Sequence, residues 1–155
     1  MDLMCMAKNT INLIPVMYFI GFGVGGLLSF PVLDKIGRLK SHWIFSTIHM
    51  LAQIVVVFVP TFSARMAGFT VMGLMMAKNS LCYTWLFEFM LKDHKSLAST
   101  AMNMMDFLTC CIGGIFFLFG SQNVQDLLVG FLSVHIFGYI VVTAICPESP
   151  KWLLL

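Results

Sequence analysis

The chain has 155 residues, 59% of them hydrophobic and 10% charged, with a formal net charge of +2. Ordinary globular chains carry about 45–50% apolar and about 25% charged residues, and a mean hydropathy of +0.93 leaves too little polar surface for a water-soluble globule. These values exclude a soluble enzyme and a disordered chain, and the absence of a basic excess argues against a nucleic-acid binder; a membrane protein remains.

A bilayer crossing needs about 20 apolar residues. Five such runs follow one another, at 12–33, 42–60, 66–87, 97–119 and 125–146. They predict an all-α polytopic membrane protein with five transmembrane helices. The first run exceeds the apolar core of a secretory signal, about 7–15 residues, which disfavours a cleaved leader. After Pro60 and after Phe119 there is barely room for a turn, so the helices joined there are expected to be antiparallel neighbours. Lys35, Arg38, Lys40, Lys92, Lys95 and Lys151 fall on one side, Lys8 and Arg65 on the other, and Lys78 within a span. Positive charge marks the cytoplasmic face. The expectation is an integral protein of the plasma or an organelle membrane, N-terminus outside and C-terminus cytoplasmic. Of the five cysteines, Cys82, Cys110, Cys111 and Cys146 lie in apolar runs as packing residues, while Cys5 sits in a polar tail. No set has metal-ligand spacing, so neither metal nor cofactor is expected.

In the first run, Gly21, Gly23 and Gly26 match a dinucleotide fingerprint in letters only, since that motif needs a strand before it and a helix after it. Gly21, Gly25 and Ser29 instead recur every fourth residue, a small face that lets another helix approach closely. The loop that follows runs from Leu33 through Asp34, Lys35, Gly37 and Arg38 to Lys40. There Asp34 ends a span, Gly37 permits a tight reversal, and the cations hold the loop inside.

Asp106 and Lys78 lie within spans. Each costs about 2.5–3.5 kcal/mol on insertion scales unless it faces protein or water. Ser99, Asn103, Asp106, Cys110 and Gly113 form one polar-to-small stripe, expected to face inward. Two readings stand side by side. Asp106, Asn103 and Lys78 line a cavity in which the carboxylate meets a cation or a proton, or Asp106 and Lys78 form a structural ion pair. On the second run Ser46, His49 and Gln53 share a face, as do His135, Tyr139 and Thr143 on the fifth. These histidines are neutral groups bonded to neighbouring helices, or members of a proton relay.

Three segments carry a resemblance. Asp34, Lys35, Gly37 and Arg38 resemble the signature G-x-x-x-D-R/K-x-G-R-R/K of the major facilitator superfamily, with Phe30 in place of its leading Gly and Leu39 in place of its last basic residue. Pro147, Glu148, Ser149, Pro150, Lys151, Trp152 and Leu153 resemble the P-E-S-P-R/K-W-L segment after helix six of its sugar porters and organic-ion transporters. Tyr83, Thr84, Glu88 and Phe89, with Lys95 seven residues after Glu88, resemble the helix-four end of organic cation transporters. Asp2 to Cys5 are similar to the end of that branch's extracellular loop. The resemblance implies that the spans are helices 2–6 of the N-terminal half of a twelve-helix carrier, so the chain is expected to be part of a longer transporter. It implies secondary transport of a small organic solute by alternating access, with Asp34, Gly37, Arg38, Glu88, Lys95 and Glu148 forming a cytoplasmic gate network. The implied partners are the solute, the bilayer, and the missing transporter half or a full-length relative. A sugar porter and a non-transporting remnant are the alternatives, and no nucleophile–base pair suggests an enzyme.

Overall fold

The computed structural model describes residues 8–120 and 123–148, and within them the chain is helical, with no strand. The elements are α1 (Lys8–Ile36), α2 (Arg38–Phe58), α3 (Phe62–Met75), α4 (Ala77–Phe89), α5 (Lys95–Phe119) and α6 (Val124–Ile145), with a 3-10 turn at Lys92–His94 before α5. Among the described residues four stretches are long and apolar enough to cross a membrane: Asn12–Ser29, Arg38–Phe58, Lys92–Phe119 and Val124–Ile145.

The breaks have local causes. A single residue, Gly37, separates α1 from α2, so both helices run further than the apolar runs predicted. Its φ of 97° is disfavoured for any residue with a Cβ. Pro60 ends α2: Val59 before it is extended (φ −83°, ψ 124°), as the proline ring requires of its predecessor.

The third apolar run differs from expectation. It is divided at Met76 into helices of 14 and 13 residues, each too short to span alone. Met76 keeps right-handed helical angles (φ −64°, ψ −17°). The ladder tightens there, because Met76 N–H donates to the Gly73 carbonyl and Asn79 N–H to the Met76 carbonyl, each at 3.0 Å and three residues apart.

The tightest packing joins α1 to α3. Gly21, Gly25 and Ser29 are all buried. A Cβ at Gly21 would overlap the Thr70 carbonyl, one at Gly25 the backbone of Leu74, and one at Gly73 the Tyr18 carbonyl. Backbone touches backbone because these residues have no side chain to hold the helices apart. On the other side α3 packs against α2, where Gly68 faces Val56 and Ala52. In turn α2 packs against α4 and α6.

Polar ties mark the two ends of this bundle. At one, Arg65 Nε donates to the Val59 carbonyl at 2.7 Å and Gln125 Nε2 to the Val57 carbonyl at 3.1 Å. At the other, the starts of α2 and the ends of α4 and α6 meet through Arg38, Glu88 and Glu148.

Two expectations fail at α5. The short connection at 120–123 does not make α5 and α6 pack along their lengths. The stripe does not turn inward: Asn103, Asp106 and Cys110 are exposed, Ser99 and Gly113 half-buried, and Ala98 is the buried residue of α5. The stripe is a property of α5 alone: among the described residues no helix packs along its length, and α4 meets it where Tyr83 reaches Asp106.

Candidate functional site

Polar side chains gather in three places: a clamp at one end of the bundle, a cleft between α4 and α5, and a largely buried polar row between α2, α4 and α6.

The clamp begins with helix geometry. The first N–H groups of α2 have no partner within the helix. Glu148 Oε1 accepts two of them, from Arg38 at 2.8 Å and Leu39 at 3.0 Å. A carboxylate there also faces the positive end of the helix dipole. Arg38 Nη2 donates to Glu88 Oε1 at 3.3 Å, and the two side chains are 11% and 13% exposed. Four of the residues named from the sequence thus meet: Gly37 forms the turn, Arg38 crosses to α4, and Glu148 closes from α6. Lys95 is not among them. It is exposed at the start of α5, and its side chain makes no ion pair or hydrogen bond among the described residues. Asp34 lies in the last turns of α1, with its side chain outside the described ones, as are residues 2–5 and 149–153.

The cleft between α4 and α5 has a volume of about 320 Å³ and is lined by Asn79, Cys82, Tyr83, Ala101, Met102, Met105 and Asp106. Tyr83 donates its hydroxyl to Asp106 Oδ2 at 2.5 Å. No cation pairs with Asp106 among the described residues. Asn103 lies on α5, exposed and outside the cleft lining.

The ion pair between Asp106 and Lys78 is absent. Lys78 is 9% exposed and turns the other way, into the bundle. Its Nζ lies 2.6 Å from His135 Nε2 and 3.3 Å from His49 Nδ1. The physical reason is register: Lys78 sits two residues into α4, beside α2 and α6, whereas Tyr83 is the α4 residue that reaches α5. His135 Nδ1 lies 3.2 Å from Gln53 Oε1.

The row continues towards the clamp. His42 Nε2 is 3.5 Å from Ser46 Oγ, His42 Nδ1 is 3.7 Å from Cys82 Sγ, and the ring stacks on Tyr139 at 6.3 Å between centroids. Thr47 Oγ1 meets the Tyr139 hydroxyl at 3.3 Å. His42, Ser46, His49 and Gln53 are all buried on one face of α2. His42 was missing from the face read in the sequence, although it stands four residues before Ser46 and the helical period would have found it. That Lys78 belongs to this row was not readable, since it depends on how α4 is rotated. No protein-family model matches the chain, and no curated protein is significantly similar to it.

Proposed function

We propose that this chain is part of a secondary transporter of the major facilitator superfamily, nearest its organic cation branch, that moves a small organic solute by alternating access. The observation that carries the reading is Asp106. A carboxylate without a cationic partner among the described residues stands in a membrane-length helix, on a cleft otherwise lined largely by apolar atoms and methionines. Such a charge is costly against lipid, and an organic cation with an apolar body satisfies both the carboxylate and the lining. Tyr83 holds the carboxylate and adds an aromatic wall for a cation to lie against.

Residues 62–89 stay helical through the tight turn at Met76 and serve together as the fifth crossing. The Arg38, Glu88 and Glu148 clamp is the cytoplasmic gate, which places the C-terminus inside and the N-terminus outside. The exposed α5 is the wall that further transporter helices cover, and the chain is a carrier rather than an enzyme. Binding of a fluorescent aromatic cation to the full chain in lipid nanodiscs tests the reading. Saturable binding should weaken about tenfold in Asp106→Asn, the loss of one charge-assisted contact. Unchanged binding in that variant, with its helical circular dichroism intact, overturns the organic-cation assignment.

A further inference from the structure

The buried row between α2, α4 and α6 has no task in the transport reading, and its charge arithmetic is uncommon. Lys78 carries a basic nitrogen into the bundle, and no carboxylate reaches it among the described residues. An ammonium has three donors and no acceptor, so the two imidazole nitrogens facing it must both offer lone pairs. His135 therefore carries its ring hydrogen on Nδ1, which donates to Gln53 Oε1, and His49 carries its own on Nε2. This arrangement has a close equivalent. Shifting one hydrogen along the 2.6 Å line from Nζ to His135 Nε2 yields a neutral amine and an imidazolium, with every heavy atom in place and the Gln53 bond retained. Either way the three nitrogens together hold one proton in excess.

We propose that Lys78, His49 and His135 form a proton-binding site inside the helix bundle, holding one exchangeable proton in common. Uptake transfers a proton from water to the cluster and takes it from neutral to one positive charge. Release returns that proton to water and leaves an amine and two neutral imidazoles. A single charge in a span is costly against lipid, and sharing it over three basic nitrogens is what keeps both states accessible. The other titratable groups facing the row are His42 from α2, Cys82 from α4, Tyr139 from α6 and Cys146 just after it. None of these supplies a carboxylate, and Asp106 is tied to Tyr83 in the cleft. Cys82 touches His42 on one side and lines the cleft on the other, so one side chain separates the cleft from the row. The proposal is independent of the organic-cation reading, because none of its three residues lines that cleft.

The test is a pH series from about 5 to about 10, bracketing free histidine and lysine, on the full chain in lipid nanodiscs with ring-15N histidine. The four histidines are assigned by single His→Gln variants. Groups that share a proton titrate as a unit, so His49 and His135 should report one common midpoint. Lys78→Arg keeps the charge but cannot release it, and should abolish that common step while retaining helical circular dichroism. Separate midpoints in the wild type, or a common midpoint that survives Lys78→Arg, overturn the proposal. Should Lys78→Arg fail to fold, His135→Gln decides, since glutamine still offers Lys78 an acceptor. The His49 midpoint then moves if the proton is shared, and an unchanged His49 midpoint overturns the site.

Discussion

The α1/α3 pair and α5 are built from similar small residues, yet they behave as opposites. Gly21, Gly25 and Gly73 bring two backbones into contact, whereas a Cβ added at Gly113 or Gly114 of α5 would meet nothing within 4 Å. A small-residue face is permission for close approach, and only a facing helix turns permission into a contact. In α1 the partner is α3, which supplies a glycine of its own. The face of α5 is intact in sequence, yet among the described residues no helix packs along it, and α4 touches it where Tyr83 meets Asp106.

The sharpest way to break this comparison is substitution of the glycines. Gly25→Val and Gly73→Val place a side chain where backbone already stands, and each should destabilise the chain by about 1–3 kcal/mol or more. Gly113→Val should change stability by less than about 0.5 kcal/mol. Reversible unfolding in mixed micelles, followed by circular dichroism, measures both. Equal losses at Gly25 and Gly113 would mean that α5 is as tightly packed as α1.

The next effect separates the two intramembrane charges. Lys78→Met leaves one buried and one half-buried imidazole acceptor without a donor and should cost about 1–3 kcal/mol. Adding Asp106→Asn should not rescue it, because the two residues share no contact. A rescue in the same unfolding assay would restore the ion pair that the structure does not contain.

At the clamp, Glu148→Gln should cost about 0.5–1.5 kcal/mol. Glutamine keeps an oxygen for the Arg38 and Leu39 N–H groups while losing the charge at the helix start. The cycle of Arg38→Ala with Glu88→Gln should show a coupling of about 0.5–1 kcal/mol, and strict additivity would argue that the 3.3 Å contact contributes nothing. The smallest effect is that of Asp106→Asn on stability, within about 0.5 kcal/mol. Asparagine still accepts the Tyr83 hydroxyl bond, and α5 has little packing to lose. A large destabilisation would show that α5 is anchored through Asp106 after all.

Different parts of this picture were readable at different depths. The turn at Gly37 was legible because a lone glycine, free to take a positive φ, stands between two apolar runs amid a cluster of cations. The small face of α1 was legible because its four-residue repeat is internal to one helix. The break at Met76 was not, since the run is apolar throughout and the pitch of the ladder changes where Gly73 meets the backbone of Tyr18. Among the candidate site residues, Gly37, Arg38, Glu88 and Glu148 converge, Lys95 stays apart, and Asp106 and Lys78 face different helices. Spacing along one helix named the His49 and Gln53 face, but it could not show that Lys78 and His135 complete it.

By itself, then, the sequence determined that this is a helical chain with several stretches fit for a bilayer, where the chain reverses, and which faces of each helix are small or polar. Those are local properties, set by run length, backbone freedom and the helical period. Which face meets which was decided by the tertiary structure alone. The rotation of α4 about its axis sends Lys78 to two histidines and Tyr83 to Asp106, and that rotation follows from the packing of α4 against α2 and α1, which no single segment contains.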